Sequence, residues 1–195
     1  VKTLGDAGRL GEAALERRLG KFGRRLAALA RGEDPSPVTP HSETKSISAE
    51  VTLARDTADL CEMKKILLRQ AEDVARQLRR QGLRARTVVL KLKHDDFRQV
   101  TRSRTLEAPT QSAHTLFGAA AALLKAYRLQ RPVRLVGVGA ANLVPASQPV
   151  QQELFDAGRG EDKAWEKVER ALDAIEARFG PRAVRRAGQG EIETP

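Results

Sequence analysis

The clearest pattern in the chain is a strict alternation. In "KSISAEVTL", residues 45–53, Ile47, Ala49, Val51 and Leu53 fall on one parity and Ser46, Ser48, Glu50 and Thr52 on the other. A period of two predicts a strand with one buried face. The period then lengthens. Leu60, Met63, Leu67, Ala71, Val74 and Leu78 recur every three or four residues, which predicts an amphipathic helix over about 57–81, capped by Asp56 and ended by Gly82. Alternation returns in "ARTVVLKLKH", 85–94, where Val88, Leu90 and Leu92 form an inner face opposite Thr87, Lys91 and Lys93. "DDF", Asp95 to Phe97, reads as a turn, and "QVTRSRTL", 99–106, as the returning strand of a hairpin. Pro109 and Thr110 open a second helix near 111–128, with Leu116, Ala120, Leu123, Leu124 and Tyr127 inward, and "PVRLVGVGAANL", 132–143, supplies a fourth strand.

The expected fold is therefore α+β: a βαββαβ order, with a four-stranded sheet carrying two helices on one face. The other sheet face is left open. Alternation assigns Ser46, Ser48, Lys91 and Lys93 to it. On the third strand both parities are polar, Thr101 and Ser103 against Arg102 and Arg104, and the pattern leaves open which pair points outward.

The flanks differ in texture. "GEAALERRL", 11–19, and "GRRLAALAR", 23–31, read as short helices joined through "GKFG", Gly20 to Gly23. A Gly-rich turn of this kind lets backbone N–H groups approach a phosphate; a plain αα-hairpin accounts for the same pattern and is the commoner explanation. Residues 33–43 hold three prolines and form a linker. A second linker covers 145–162, and a last helix, about 163–179, spaces Trp165, Val168, Leu172, Ile175 and Phe179 as a packing stripe; residues after it read as a disordered tail. The domain reading is thus 1–32 helical, 33–43 linker, 44–144 sheet domain, 145–162 linker, and 163–195 helix and tail.

Charge adds a direction. The chain of 195 residues carries a net charge of +10. Residues 1–32 hold eight Lys/Arg against three Asp/Glu, and residues 84–106 seven against two, so two patches account for the whole excess. Concentrated positive charge suits a polyanion. An open face of Lys, Arg, Ser and Thr provides what phosphate contact needs, and its lack of aromatics argues against base stacking. A backbone-reading duplex surface fits best.

Catalytic chemistry is hard to find. Adjacent Asp95 and Asp96 belong to a turn. "GVGAAN", 137–142, lacks the third glycine of a dinucleotide loop. His41, His94 and His114 are scattered without metal spacing. Cys61 is the single cysteine and reads as core. No nucleophile–base pair stands out, so no catalytic residue and no metal site are assigned, and no cofactor is expected in this chain. No apolar run approaches the ~20 residues of a membrane span. A cytoplasmic monomer is the expectation. The start, "VKTLGDAG", reads as the interior of a longer chain.

Taken together, "KTLGDAG", "GKFGRRLAALARG", "KSISAEVTL", "VVLKLKHDDFRQVTRSRTL", "PVRLVGVGAANL" and "QQELF" occur in an order and spacing that resembles the C-terminal half of Y-family translesion DNA polymerases, of the bacterial DNA polymerase IV type. The resemblance covers essentially residues 2–155. It implies that residues 1–32 are the end of a thumb domain gripping the primer–template backbone, with Gly20, Lys21 and Gly23 at the contact. It implies that residues 44–144 are a little finger domain, with Lys45, Ser46, Ser48, Lys91, Lys93, Thr101, Arg102, Ser103 and Arg104 as candidate DNA contacts. The family's palm, with its metal-binding carboxylates and magnesium, precedes this region, so this chain alone is expected to be inactive. "QQELF" resembles the clamp-binding pentapeptide of bacterial polymerases: Gln151 would hydrogen-bond in a clamp pocket, and Leu154 and Phe155 would fill its apolar part. Gln152 stands where that motif usually has Leu. The alternatives are a non-polymerising paralogue acting as a clamp-binding adaptor, and a free-standing nucleic-acid-binding module.

Overall fold

A computed structural model describes residues 1–40, 43–148, 159–180 and 183–184. Two compact units result, Val1–Glu43 and Thr44–Pro195.

The first unit holds three helices, α1 (Leu4–Leu10), α2 (Glu12–Leu19) and α3 (Lys21–Ala30). Helix α1 was not legible from hydrophobic spacing. Its signal is a capping box: Thr3 accepts from the Asp6 N–H, and the Asp6 carboxylate accepts from the Thr3 N–H. Ala7, Leu15 and Ala27 form a small core. The expected Gly-rich turn is shorter than its sequence suggests. Gly20 alone makes the turn, at φ 59°, whereas Lys21 to Gly23 already belong to α3.

The second unit is the βαββαβ fold, followed by a further helix. Its elements are β1 (Ser46–Thr57), α4 (Leu60–Arg80), β2 (Leu83–His94), β3 (Gln99–Thr110), α5 (Ala113–Tyr127), β4 (Val133–Pro145) and α6 (Arg159–Phe179). The strands form one antiparallel sheet in the order β1-β4-β2-β3. Met63, Leu67, Val74 and Leu78 of α4 and Leu116, Ala120 and Leu124 of α5 pack on Val88, Leu90, Leu92, Val136 and Val138. All of these are essentially removed from water, which is the main source of stability.

Several boundaries move. β1 runs to Thr57, so Asp56 does not cap α4; Asp59 does, accepting from the Cys61 N–H at 2.7 Å. Asp56 instead pairs with Arg134 at 2.9 and 3.0 Å. Pro109 and Thr110 end β3, an edge strand where a missing N–H is tolerated, and Ser112 is the N-cap of α5. Cys61 is exposed rather than core, because it lies on the first turn of α4 away from the apolar stripe.

The last helix departs most from its pattern. Of its expected packing stripe, Trp165 stacks on His114 and Leu172 is half-buried, yet Val168, Ile175 and Phe179 are exposed. Carboxylates face inward in their place. Glu169 accepts from Arg79 Nη1 at 2.7 Å, from the Ala113 and His114 N–H groups at 3.0 and 3.2 Å, and from Ser112 Oγ at 3.3 Å. Asp173 binds Arg79 through both oxygens at 2.6 and 2.9 Å. Glu169 thus satisfies the free N–H groups at the start of α5 from a residue far along the chain.

Candidate nucleic-acid interface

The face of the sheet away from α4 and α5 is built by register. Residues paired across antiparallel strands share a face. Pairing therefore sets rows across the sheet: Ser46–Ala141–Thr87–Thr105, Ser48–Gly139–Val89–Ser103, Glu50–Gly137–Lys91–Thr101, and Thr52–Leu135–Lys93–Gln99. The rows are hydroxyl-rich and contain no aromatic ring. Their midline, on β4, is floored by Gly137, Gly139 and Ala141. A Cβ at Gly137 would lie 2.9 Å from Glu50 Cβ and 3.3 Å from the Ala49 carbonyl oxygen, so this position is held to glycine by its neighbours. The glycines that loosely suggested a dinucleotide loop are thus interior strand residues.

The register also decides the third strand. Arg104 pairs with Val88, Arg102 with Leu90 and Val100 with Leu92, so this parity shares the helix-covered side. Thr101 and Ser103 lie on the open face with Lys91 and Lys93. Arg102 and Arg104 are exposed all the same, on an edge strand. The Arg102 guanidinium lies 5.5 Å from the Tyr127 ring centroid and donates to the Thr101 carbonyl at 3.0 Å. The four candidate cations do not form one patch: two lysines lie on the open face, and two arginines lie on the other side of the edge strand that forms its rim.

Two further residues shape this surface and escaped sequence reasoning. Glu50 Oε2 lies 2.6 Å from Lys91 Nζ, so one lysine of the face is already neutralised. Phe97, in the β2–β3 turn at φ 65°, is 61% exposed and lies beside Lys93 Nζ at 5.3 Å and the Arg134 guanidinium at 4.7 Å from its centroid. Such cation–ring contacts hold long cationic side chains in place. The signal for Phe97 was an aromatic residue inside a tight turn. Asp95 and Asp96 serve that turn, both pairing with Arg131. The bond from Arg131 holds the Asp95 carboxyl below its ordinary 3.8. Among the described residues no group of acidic, His or Cys side chains could hold a metal ion, and no helix is long and apolar enough to cross a membrane.

Lys45 is exposed just before β1. In the first unit, Gly20 has open space around its Cα and Lys21 is exposed at the N-terminus of α3. Gly23 does something else. It is buried, and a Cβ there would lie 2.2 Å from the Leu15 carbonyl oxygen, so it exists to let α2 and α3 touch. Gln151, Leu154 and Phe155 lie outside the described residues.

An α+β module with one bare, hydroxyl-lined sheet face and a glycine floor is thus the class that fold and surface define. Residues 44–154 match the model of the impB/mucB/samB family C-terminal domain, and the chain belongs to that family. It is 42% identical over 190 residues to DNA polymerase IV of Moorella thermoacetica, covering 96% of this chain and 46% of that protein. It is 36% identical over 184 residues to DNA polymerase IV 1 of Mesorhizobium japonicum, covering 94% and 41%, and 38% identical over 184 residues to DNA polymerase IV of Caulobacter vibrioides, covering 94% and 45%. The chain spans less than half the length of these relatives.

Proposed function

We propose that this chain is the duplex-holding and clamp-docking part of a translesion DNA polymerase. The observation that carries the first half is the bare sheet face. Hydroxyls and backbone groups above a glycine floor admit a sugar–phosphate strand closely, while Lys93 on the face and Arg102 and Arg104 on the rim supply charge. Contacts of this kind position a duplex without reading its sequence. That suits a polymerase working on damaged templates, since lesions alter bases more than backbone. Template-directed nucleotidyl transfer itself, with its magnesium, belongs to the palm expected outside this chain.

The second half rests on "QQELF" and its likeness to a clamp-binding pentapeptide. Burial of Leu154 and Phe155 in a clamp pocket yields roughly 3–5 kcal/mol before ordering costs, which suits an exchangeable tether. Leu154→Ala with Phe155→Ala abolishes capture by a bacterial sliding clamp and leaves DNA binding unchanged. Reversal of Lys91, Lys93, Arg102 and Arg104 to Glu abolishes primer–template binding, read by fluorescence anisotropy, with circular dichroism unchanged. Duplex binding that survives the reversal contradicts the reading.

A further inference from the structure

Helix α6 is built inside out. Its described carboxylates all engage the body of the domain: Asp162 with Thr110 and Thr115, Glu166 with Arg84, Glu169 and Asp173 with Arg79, and Glu176 with Arg76. Burying carboxylates is costly unless every one is paired. An apolar stripe on the same helix would have docked without that demand. Trp165 and Leu172 sit half-buried toward the domain, but a second apolar row is turned away. Ala164, Val168, Ala171, Ile175 and Phe179 are all exposed, Val168 at 48%, Ile175 at 37% and Phe179 at 68%.

Two features of this outer face say what fits it. The first four residues step by four, three and four, the spacing of a coiled-coil seam that receives another helix. Among the described side chains of α6, the exposed charges beside it are Lys167, Arg170 and Arg178, all positive, with Arg170 61% exposed although it also meets Glu166 at 3.4 Å. A second copy of the chain would bring like charges together, and a phosphate backbone would leave the apolar residues without partners. We propose that the outer face of α6 docks an acidic amphipathic helix of a partner protein. The inward carboxylates then act as a polar clasp that holds α6 on the domain while its apolar stripe stays available.

The probe is a three-heptad peptide with Leu at positions a and d and Glu at e and g, whose own charge repulsion prevents self-pairing. Its twin carries Lys in place of Glu. The Glu peptide binds the chain about tenfold or more tighter than the Lys twin, because charge complementarity selects between them. Val168→Asp with Ile175→Asp, both at exposed positions, weakens that binding about tenfold or more. Trp165 fluorescence and circular dichroism of the variant stay unchanged, which separates loss of docking from loss of fold. Failure of the Glu peptide to bind overturns the proposal, and so does equal binding of both peptides. Preference for phosphatidylglycerol vesicles over the Glu peptide overturns it in favour of a lipid surface. Self-association in sedimentation, relieved by Ile175→Asp, overturns it in favour of a second copy.

Discussion

Lys91 and Glu50 are joined across Gly137. The ammonium nitrogen of one lies 2.6 Å from a carboxylate oxygen of the other, and both residues flank that glycine in the sheet register. The pair is half exposed, with side chains 34% and 43% accessible, so its contribution to stability is small, about 0–1 kcal/mol. Its effect on binding is larger in kind, since it ties down a cation on the face proposed to meet phosphates.

Glu50→Gln therefore improves duplex binding. Releasing Lys91 adds up to one phosphate contact, so affinity at low salt rises about two- to fivefold and the log–log salt slope steepens by about 0.9. Thermal stability changes little. Anisotropy titrations at several salt concentrations check this, and weaker binding by the variant would show that Glu50 holds Lys91 ready rather than holding it back.

Gly23→Ala breaks the first unit and spares the second. The new Cβ would sit 2.2 Å from the backbone oxygen of Leu15, an atom that cannot rotate aside. Overpacking of this kind costs about 1–3 kcal/mol or more, which a core of Ala7, Leu15 and Ala27 cannot absorb. Amide hydrogen exchange reads the outcome: protection is lost over residues 4–30 and kept over the sheet.

Glu169→Ala releases α6. Removal of that carboxylate leaves Arg79, which is 10% exposed, with only Asp173 and the Gln111 carbonyl as partners, and leaves the first N–H groups of α5 without their acceptor. A buried donor left without its acceptor costs about 1–3 kcal/mol. Trp165 stacks on His114 with centroids 4.8 Å apart, so its fluorescence changes when the helix leaves. An unchanged tryptophan signal together with unchanged stability would contradict the clasp.

Acid loosens the β2–β3 turn. The Arg131 bond depresses the Asp95 carboxyl in the folded state below its ordinary 3.8. A depressed carboxyl stabilises the fold at pH above that ordinary value, and the stabilisation is lost as pH falls through the folded value. The Phe97 amide, which donates to the His94 carbonyl at 3.0 Å, loses protection below about pH 4 in the parent protein. In Asp95→Asn protection is lower at neutral pH and lacks this acid step.

Much of the sheet domain was legible because one physical rule governed it. Ile47, Ala49 and Val51 alternate cleanly, and α4 and α5 repeat their apolar residues on the helical period. Strand β3 was not, since both of its parities are polar over 101–104. The signal was nearby: Val100 and Leu106 share a parity with Arg102 and Arg104, and that parity faces the helices. Helix α6 could not have been read from its own residues. Its apolar stripe and its acidic stripe are both regular, and the choice between them depends on Arg76, Arg79, Arg84 and the start of α5, which only the folded chain brings to one place. Gly23 looked like part of a phosphate loop because its spacing from Gly20 says nothing about the approach of Leu15. The ion pair between Glu50 and Lys91 likewise appears only once β1 and β2 flank β4.

The central claim is that the bare sheet face and its rim hold a DNA duplex through phosphates. The most direct measurement is the affinity of this chain for primer–template duplexes of unrelated sequence, titrated over salt concentration. The account predicts equal affinity across sequences and a log–log slope of about −4 to −7, from five to eight phosphate contacts. Binding that ignores salt, or no binding at low salt, contradicts it.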